Sequence, residues 1–400
     1  MNSPVTSQAT SSPTSPAAMP PRRYLDNAAT SWPKPEAVWR AWERAARDNG
    51  AAAGRGGYRD AIAAGQIVQQ ARSAAAAMLG VAADRVALPM SATLGLNQAI
   101  RGLVRPGDHV IATAADHNAT LRPLAQLAAA GEIELTVVPC DRGGWVDPQE
   151  IAKAWQKATR LVTVSQASNV TGVLQDAEAI VGITRERGGL SLVDAAQTFG
   201  QIPITAGVAA ADVFVAPAHK WLLGMHGVAV VSVREGVACQ PLILGGTGSA
   251  SESLTPPLTL AEQFEAGTPD LSAAAALVAA IDWLQAKGIE SRATFCGGLA
   301  AACRARLADL PGVQLVGSQE NQLAGPPIVS FTVAGYSPAE VAALLEQIAG
   351  VQARSGLHCA ALIHEHLGTA TGGTVRLAFG PFNTLADIDA VVSALVAIMQ

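Results

Sequence analysis

Between about residues 60 and 265, runs that are apolar almost throughout alternate with alanine-rich stretches, and this alternation limits the fold more than anything else in the chain. The runs are "DHVIAT" (108–113), "ELTVVP" (134–139), "RLVTVSQ" (160–166), "LSLVDA" (190–195), "ADVFVA" (211–216) and "GVAVVSV" (227–233). A strand wetted on one side alternates apolar and polar residues, whereas a strand covered on both faces has no polar side to present. Helical stretches such as "QIVQQARSAAAAML" (66–79) fall between the runs. The pattern predicts an α/β layered domain on a mostly parallel sheet. Such sheets bind ligands beyond the carboxyl ends of their strands, so the polar residues that follow each run become candidates for function.

After that block the pattern changes. A segment rich in Gly, Pro, Ser and Thr (244–270) predicts a long surface excursion, and a helical stretch follows from about 272 to 308. Then "PPIVSFTVAG", "SPAEVAALLEQIA", "GTVRLAFG" and "TLADIDAVVSALVAIM" read as strand, helix, strand and helix, with Ser337 and Thr384 as helix N-caps. These make a smaller α+β unit. The expected organisation has four parts: a disordered tail over 1–20, with too little to bury, and a segment over 21–35 that packs with the small domain. A large domain covers 36–270 and the small C-terminal domain 271–400.

Composition closes off several classes of function. Of the 400 residues, 50% are hydrophobic and 15% charged, a balance that supplies sizeable cores. A net charge of −5 leaves no footprint for nucleic acid. No uninterrupted run of about 18 apolar residues suggests a membrane span. The N-terminus has neither the basic start nor the apolar core of a secretory signal. The five cysteines, Cys140, Cys239, Cys296, Cys303 and Cys359, form no CxxC pair, so reduced thiols and a cytoplasmic location are expected. No metal site is expected, because His364 and His366 lack the HExxH spacing that sets two ligands on one helical face.

Several runs end on groups that can do chemistry. "LVDAAQTFG" sets Asp194 at the end of one run with Gln197 three residues on, and "VFVAPAHKWLLGMHG" sets His219 and Lys220 at the end of another. A lysine among apolar residues at a sheet edge is pushed towards its neutral form by desolvation, as a Schiff-base lysine needs. A strand-end carboxylate suits a protonated pyridine nitrogen. Together they suggest pyridoxal phosphate, although two unrelated surface charges have the same spacing. "PMSATLGLNQAI" (89–100) turns into a helix near Thr93, which reads as an anion site or as an ordinary capped helix. His117, in "DHNATLRPL", stacks on a flat ring or sits satisfied at the surface. In "ARSGLHCA" (353–360), Arg354, Gly356 and His358 surround Cys359. That thiol is a nucleophile favoured by the two basic neighbours, or a packing residue. The other four cysteines read as packing residues.

From "YLDNAATSWPKP" (24–35) to the C-terminus the chain also resembles a known family. The resemblance rests on "GRGGYRDA", "SATLGLNQA", "DHNATLRPL", "SNVTGVLQD", "VDAAQTFG", "AHKWLLGMHG", "GGTGS", "EAGTPD", "RSGLHCA" and "VRLAFGPFNT", in that order. The chain is similar to the class V branch of the fold-type I pyridoxal-phosphate enzymes, specifically the cysteine desulfurase and selenocysteine lyase group. The resemblance implies a homodimer in which Lys220 carries the cofactor, Asp194 faces its pyridine nitrogen, Gln197 bonds its phenolic oxygen and His117 stacks on its ring. It implies Thr93, Ala92 and His219 at the phosphate, with Thr268 reaching the partner subunit's phosphate. Asn169 then sits between cofactor and substrate carboxylate, Arg376 clamps that carboxylate, Arg354 is a further substrate-binding residue, and Cys359 accepts sulfur.

Two positions depart from the family pattern. Pro217 stands where a serine or threonine often contacts the phosphate, and Ala218 replaces a glycine. The expected activity is that of a pyridoxal-phosphate-dependent cysteine desulfurase, turning L-cysteine into L-alanine with a persulfide left on Cys359, or of a selenocysteine lyase. A sulfur-acceptor protein is a further expected partner. Two other readings stay open: a class V aminotransferase or β-lyase acting on another small amino acid with Cys359 structural, and a non-catalytic regulatory protein on the same fold.

Overall fold

In the computed structural model of the chain, which describes residues 20–248, 252–255, 259–317 and 325–400, all six apolar runs form strands of one seven-stranded sheet. The expected N-terminal tail lies outside the described residues except for Pro20. The strands are β1 (Val86–Ala87), β2 (Asp108–Thr113), β3 (Ile133–Val138), β4 (Thr159–Ser165), β5 (Leu190–Asp194), β6 (Val213–Pro217) and β7 (Ala229–Val233). Their order across the sheet is β3-β2-β4-β5-β6-β7-β1. Strands β2 to β6 run parallel, while β7 is antiparallel to β6 and β1 antiparallel to β7. The connection 218–228 contains no helix, and without a crossover β7 can only return alongside β6 in the opposite sense.

Neighbouring residues along a strand point to opposite faces. Here both faces are apolar: Val110 and Ala112 join one buried core and Ile111 the other, each 0% exposed. This double burial is why the runs carry no polar alternation.

The helical stretch near 272–308 is two helices, Leu271–Lys287 and Ile289–Ala308, divided at Gly288, whose φ of 77° lies in the left-handed region. A four-stranded antiparallel sheet follows, from β8 (Val313–Val316), β9 (Ile328–Val333), β10 (Arg354–Gly356) and β11 (Thr374–Ala378), in the order β10-β11-β9-β8. Ser337 caps the helix Pro338–Ala349 through a reciprocal capping box with Glu340, and the Thr384 N–H donates to Asp387 at the start of Leu385–Met399. Arg23–Tyr24 pairs in parallel with Val351–Gln352, and Asp26 bridges to Ala378. The N-terminal segment is thereby carried from the small sheet to the carboxyl edge of the large one.

Candidate active site

Four consecutive parallel strands deliver polar residues just beyond their carboxyl ends: His117 after β2, Asn169 after β4, Asp194 at the end of β5 and Lys220 after β6. All four line one cleft of about 560 Å³, together with Gln197, His219, Ala92 and Thr93. The cleft is where the order of an open parallel sheet predicts a ligand.

Asp194 and Lys220 shape the field of the cleft. Asp194 Oδ1 accepts from the Ala196 N–H at 2.9 Å. Burial pushes its carboxyl up to about 6, against the pull of Lys220. Burial likewise brings Lys220 down to about 8, with Asp194 opposing and Arg376 and Arg354 reinforcing the fall. His117 is the N-cap of the helix Asn118–Ala129, and its Nδ1 accepts from the Ala119 N–H at 3.0 Å. That bond assigns the proton to Nε2. Burial, with Lys220 adding to it, lowers His117 to about 4, so the ring is neutral at physiological pH. Gln197 is held on both sides, its Oε1 by Trp221 Nε1 at 2.8 Å and its Nε2 by the Ala28 carbonyl at 3.0 Å. One amide hydrogen is left over.

The N-terminus of the helix Ala92–Leu103 also lines the cleft. Its N-cap is Ser91, whose hydroxyl accepts from Leu94 N–H at 3.1 Å, so Thr93 sits in the first turn rather than at the cap. Among the described residues the buried Nδ1 of His219 has no partner. Its ring stacks on His226 with centroids 4.6 Å apart, and burial pushes it down to about 3.

The small sheet supplies the remaining residues. Antiparallel pairing of β10 with β11 sets Arg354 directly opposite Arg376. Arg354 Nη2 donates to Cys359 Sγ at 3.3 Å. Cys359 is exposed, whereas the other four cysteines are buried, and burial raises each of those thiols. His358 and Cys359 both adopt left-handed backbone, with φ of 51° and 60°. Asn118 N–H on the Cys359 carbonyl at 2.8 Å and Asn169 Nδ2 on the His358 carbonyl at 2.6 Å hold that turn. The expected help from His358 to the thiolate is not found. Its ring is buried against Thr374 Oγ1 at 2.9 Å, and burial beside two guanidiniums lowers it to about 2, so it carries no charge. Arg376 is fully buried, with Nη2 on Asp26 Oδ1 at 2.6 Å and Nη1 on the Asn169 carbonyl at 2.8 Å.

Thr268 is not brought to this cleft; it is exposed and lines a separate one with Met90 and Gly267. Three residues that sequence reasoning missed support the site. Asp26 pairs with Arg376, and Trp221 orients Gln197. Asp116 is fully buried and accepts from Thr113 N at 3.1 Å, Thr163 Oγ1 at 2.8 Å and Ser165 N at 2.5 Å. It ties the exit of β2 to β4. Each lies inside a quoted motif, but nothing in one sequence tells a buried supporting group from its neighbours.

The sequence profile of the aminotransferase class-V family matches residues 23–391. A protein from Methanothermobacter thermautotrophicus described as a probable cysteine desulfurase is 32% identical over 372 residues, 91% of this chain and 92% of that one. A cysteine desulfurase structure from Thermococcus onnurineus superimposes with a TM-score of 0.87 at 28% identity, covering 94% of both chains. The Escherichia coli cysteine desulfurase CsdA gives 0.83 at 26% identity, again over 94% of each.

Proposed function

Because the chain belongs to the aminotransferase class-V family, we propose that it is a pyridoxal-phosphate-dependent cysteine desulfurase, which converts L-cysteine to L-alanine and takes the sulfur as a persulfide on Cys359. The observation that carries this reading is the exposed Cys359 thiol, 3.3 Å from Nη2 of Arg354, a residue whose strand pairs with that of Arg376. A packing cysteine has no use for an exposed sulfur under a guanidinium.

The residues of the cleft fit a phosphorylated pyridine aldehyde. They offer an amine lowered to about 8, a carboxylate beside it, a helix N-terminus suited to an anion, and an unpartnered buried imidazole nitrogen on His219. Lys220 would hold the cofactor covalently. Asp194, Gln197 and His117 would hold its ring, and Thr93, the Ala92 backbone and His219 its phosphate. When bound, pyridoxal phosphate supplies an electron sink for the pair left on carbon as the carbon–sulfur bond breaks.

The chain's own groups do the rest. Above about pH 6 Asp194 keeps a negative charge on the cleft wall. Lys220 Nζ, at about 8, can release and take back a proton at physiological pH. Arg376, fixed by Asp26 and the Asn169 carbonyl, takes the substrate carboxylate. The Cys359 thiolate, balanced by Arg354, attacks the substrate sulfur, so that a sulfur–sulfur bond forms as the carbon–sulfur bond breaks and the carbon gains a proton. L-selenocysteine offers the same carboxylate and amine and is the second substrate of this reading. In a homodimer, Thr268 of each protomer would complete the phosphate site of its partner. A sulfur-acceptor protein would then discharge Cys359 in the cytoplasm; among the described residues no helix is long and apolar enough to cross a membrane.

The test is incubation of the purified protein with L-cysteine. Alanine should form, and peptide mapping should find one added sulfur atom on Cys359 alone. Alanine formation undiminished in Cys359→Ala would overturn the reading, and sulfide released with pyruvate in place of alanine would favour a β-lyase with a structural Cys359.

A further inference from the structure

Four donors converge on the carbonyl oxygen that precedes the cleft's lysine. The His219 oxygen accepts from Ser31 N at 2.9 Å, from Thr30 Oγ1 and Ser31 Oγ at 3.1 Å each, and from Lys34 Nζ at 3.3 Å. A carbonyl has two lone pairs, so the first three donors already hold this turn. The fourth is a full cation in the interior. Lys34 is 7% exposed, and among the described residues its ammonium otherwise bonds only to Ser31, at the carbonyl and the hydroxyl, both 3.0 Å away.

All of these acceptors are neutral, and among the described residues no carboxylate pairs with Lys34. Burial alone lowers its proton affinity, to about 8, with no acidic group working against the fall. A buried ammonium is costly unless an anion balances it. His219 itself lines the cleft, as does Ala92 at the start of the helix Ala92–Leu103, and among the described residues the buried Nδ1 of the His219 ring has no partner. Pro217, on the same wall, has neither a hydroxyl nor an N–H to offer.

We propose that Lys34 is a positioning residue of the phosphate end of the cleft: acting through the His219 peptide, its buried charge favours a doubly negative group there and offsets the donor that Pro217 lacks. This rests on the reading that the cleft takes pyridoxal phosphate. A residue that merely latched the N-terminal segment in place would matter equally for phosphorylated and unphosphorylated ligands, so the two roles separate on that comparison.

The experiment measures dissociation constants of the cofactor-free protein for pyridoxal phosphate and for pyridoxal, by ligand absorbance. Lys34→Met leaves three donors on the His219 carbonyl, and circular dichroism checks that it folds. It should lower the ratio of the pyridoxal to the pyridoxal phosphate constant by about tenfold, the worth of a lost charged contact. Lys34→Arg keeps the charge and should hold the ratio within about threefold of wild type. An unchanged ratio in Lys34→Met, or equal weakening of both ligands, overturns the proposal. If Lys34→Met does not fold, Lys34→Gln, which also removes the charge, decides: a tenfold fall in the ratio supports the proposal and an unchanged ratio overturns it. Wild-type protein that fails to prefer pyridoxal phosphate would instead remove the cofactor reading, whatever the variants do.

Discussion

Replacing Arg354 by methionine removes the cation beside Cys359, the proposed nucleophile, and leaves Arg376, the proposed carboxylate ligand, in place. Arg354 Nη2 is 3.3 Å from Cys359 Sγ, and the residue stands opposite Arg376 across the β10–β11 pair. Arg376 keeps its own supports, Asp26 and the Asn169 carbonyl. Methionine preserves the unbranched stem and so most of the packing. A hydrogen bond to a charged group contributes about 1.5–3 kcal/mol. The low end applies here, because Arg354 is only partly buried and sulfur accepts weakly. About 1.5–2 kcal/mol is roughly a 10- to 30-fold change in rate. Sulfur transfer, measured in a single turnover as persulfide formed on Cys359, should slow by that factor. L-cysteine binding, read from the spectrum of the enzyme–substrate complex, should change by less than about threefold. Sulfur transfer within threefold of wild type would refute the argument. So would a defect confined to binding, since that would make Arg354 a second carboxylate ligand.

Asp194→Asn should retain cofactor but lose about 2–4 kcal/mol of transition-state stabilisation, a fall of roughly 30- to 1,000-fold in kcat, checked by steady-state alanine release. An amine is nucleophilic only when unprotonated, and burial lowers Lys220 to about 8. Covalent capture of pyridoxal phosphate by cofactor-free protein should therefore rise with pH and level off above about 8, as followed by borohydride trapping and peptide mapping. Asp116→Ala strands the Thr113 N–H, Thr163 hydroxyl and Ser165 N–H, and should cost about 2–4 kcal/mol in urea unfolding. Gly373→Ala would drive a Cβ into the Gly356 carbonyl at a φ of 78°, displacing β10. Single-turnover persulfide formation should fall while cofactor capture at Lys220 persists.

The large sheet was legible because burial on both faces writes itself as unbroken apolar runs, and Asp194 and Lys220 were legible because they follow those runs directly. Strand β10 was not. Its three residues, Arg354, Ser355 and Gly356, have no strand composition and are extended because they pair with Thr374–Arg376. The same limit hid the charge partners. Asp26 and Arg376 are 350 residues apart, and either alone reads as a surface charge. His358 shows the reverse error: its position beside Cys359 suggested a cation, but backbone at φ 51° turns the ring into the interior, where it cannot hold a proton.

The N-terminal segment carries the strongest consequence of what sequence spacing could not reveal. Sequence reading gave residues 21–35 a packing role alone, yet within nine positions they reach three parts of the site. Asp26 holds Arg376, the Ala28 carbonyl holds Gln197, and Thr30, Ser31 and Lys34 hold the His219 carbonyl. The carboxylate clamp and the lysine turn lie on different sheets, and this one segment bonds to both. Polar contacts of this kind are directional and weaken steeply when displaced. A shift of the segment that favours one anchor therefore strains the others, so the spacing between Arg376 and Lys220, the proposed carboxylate and cofactor residues, depends on this strap.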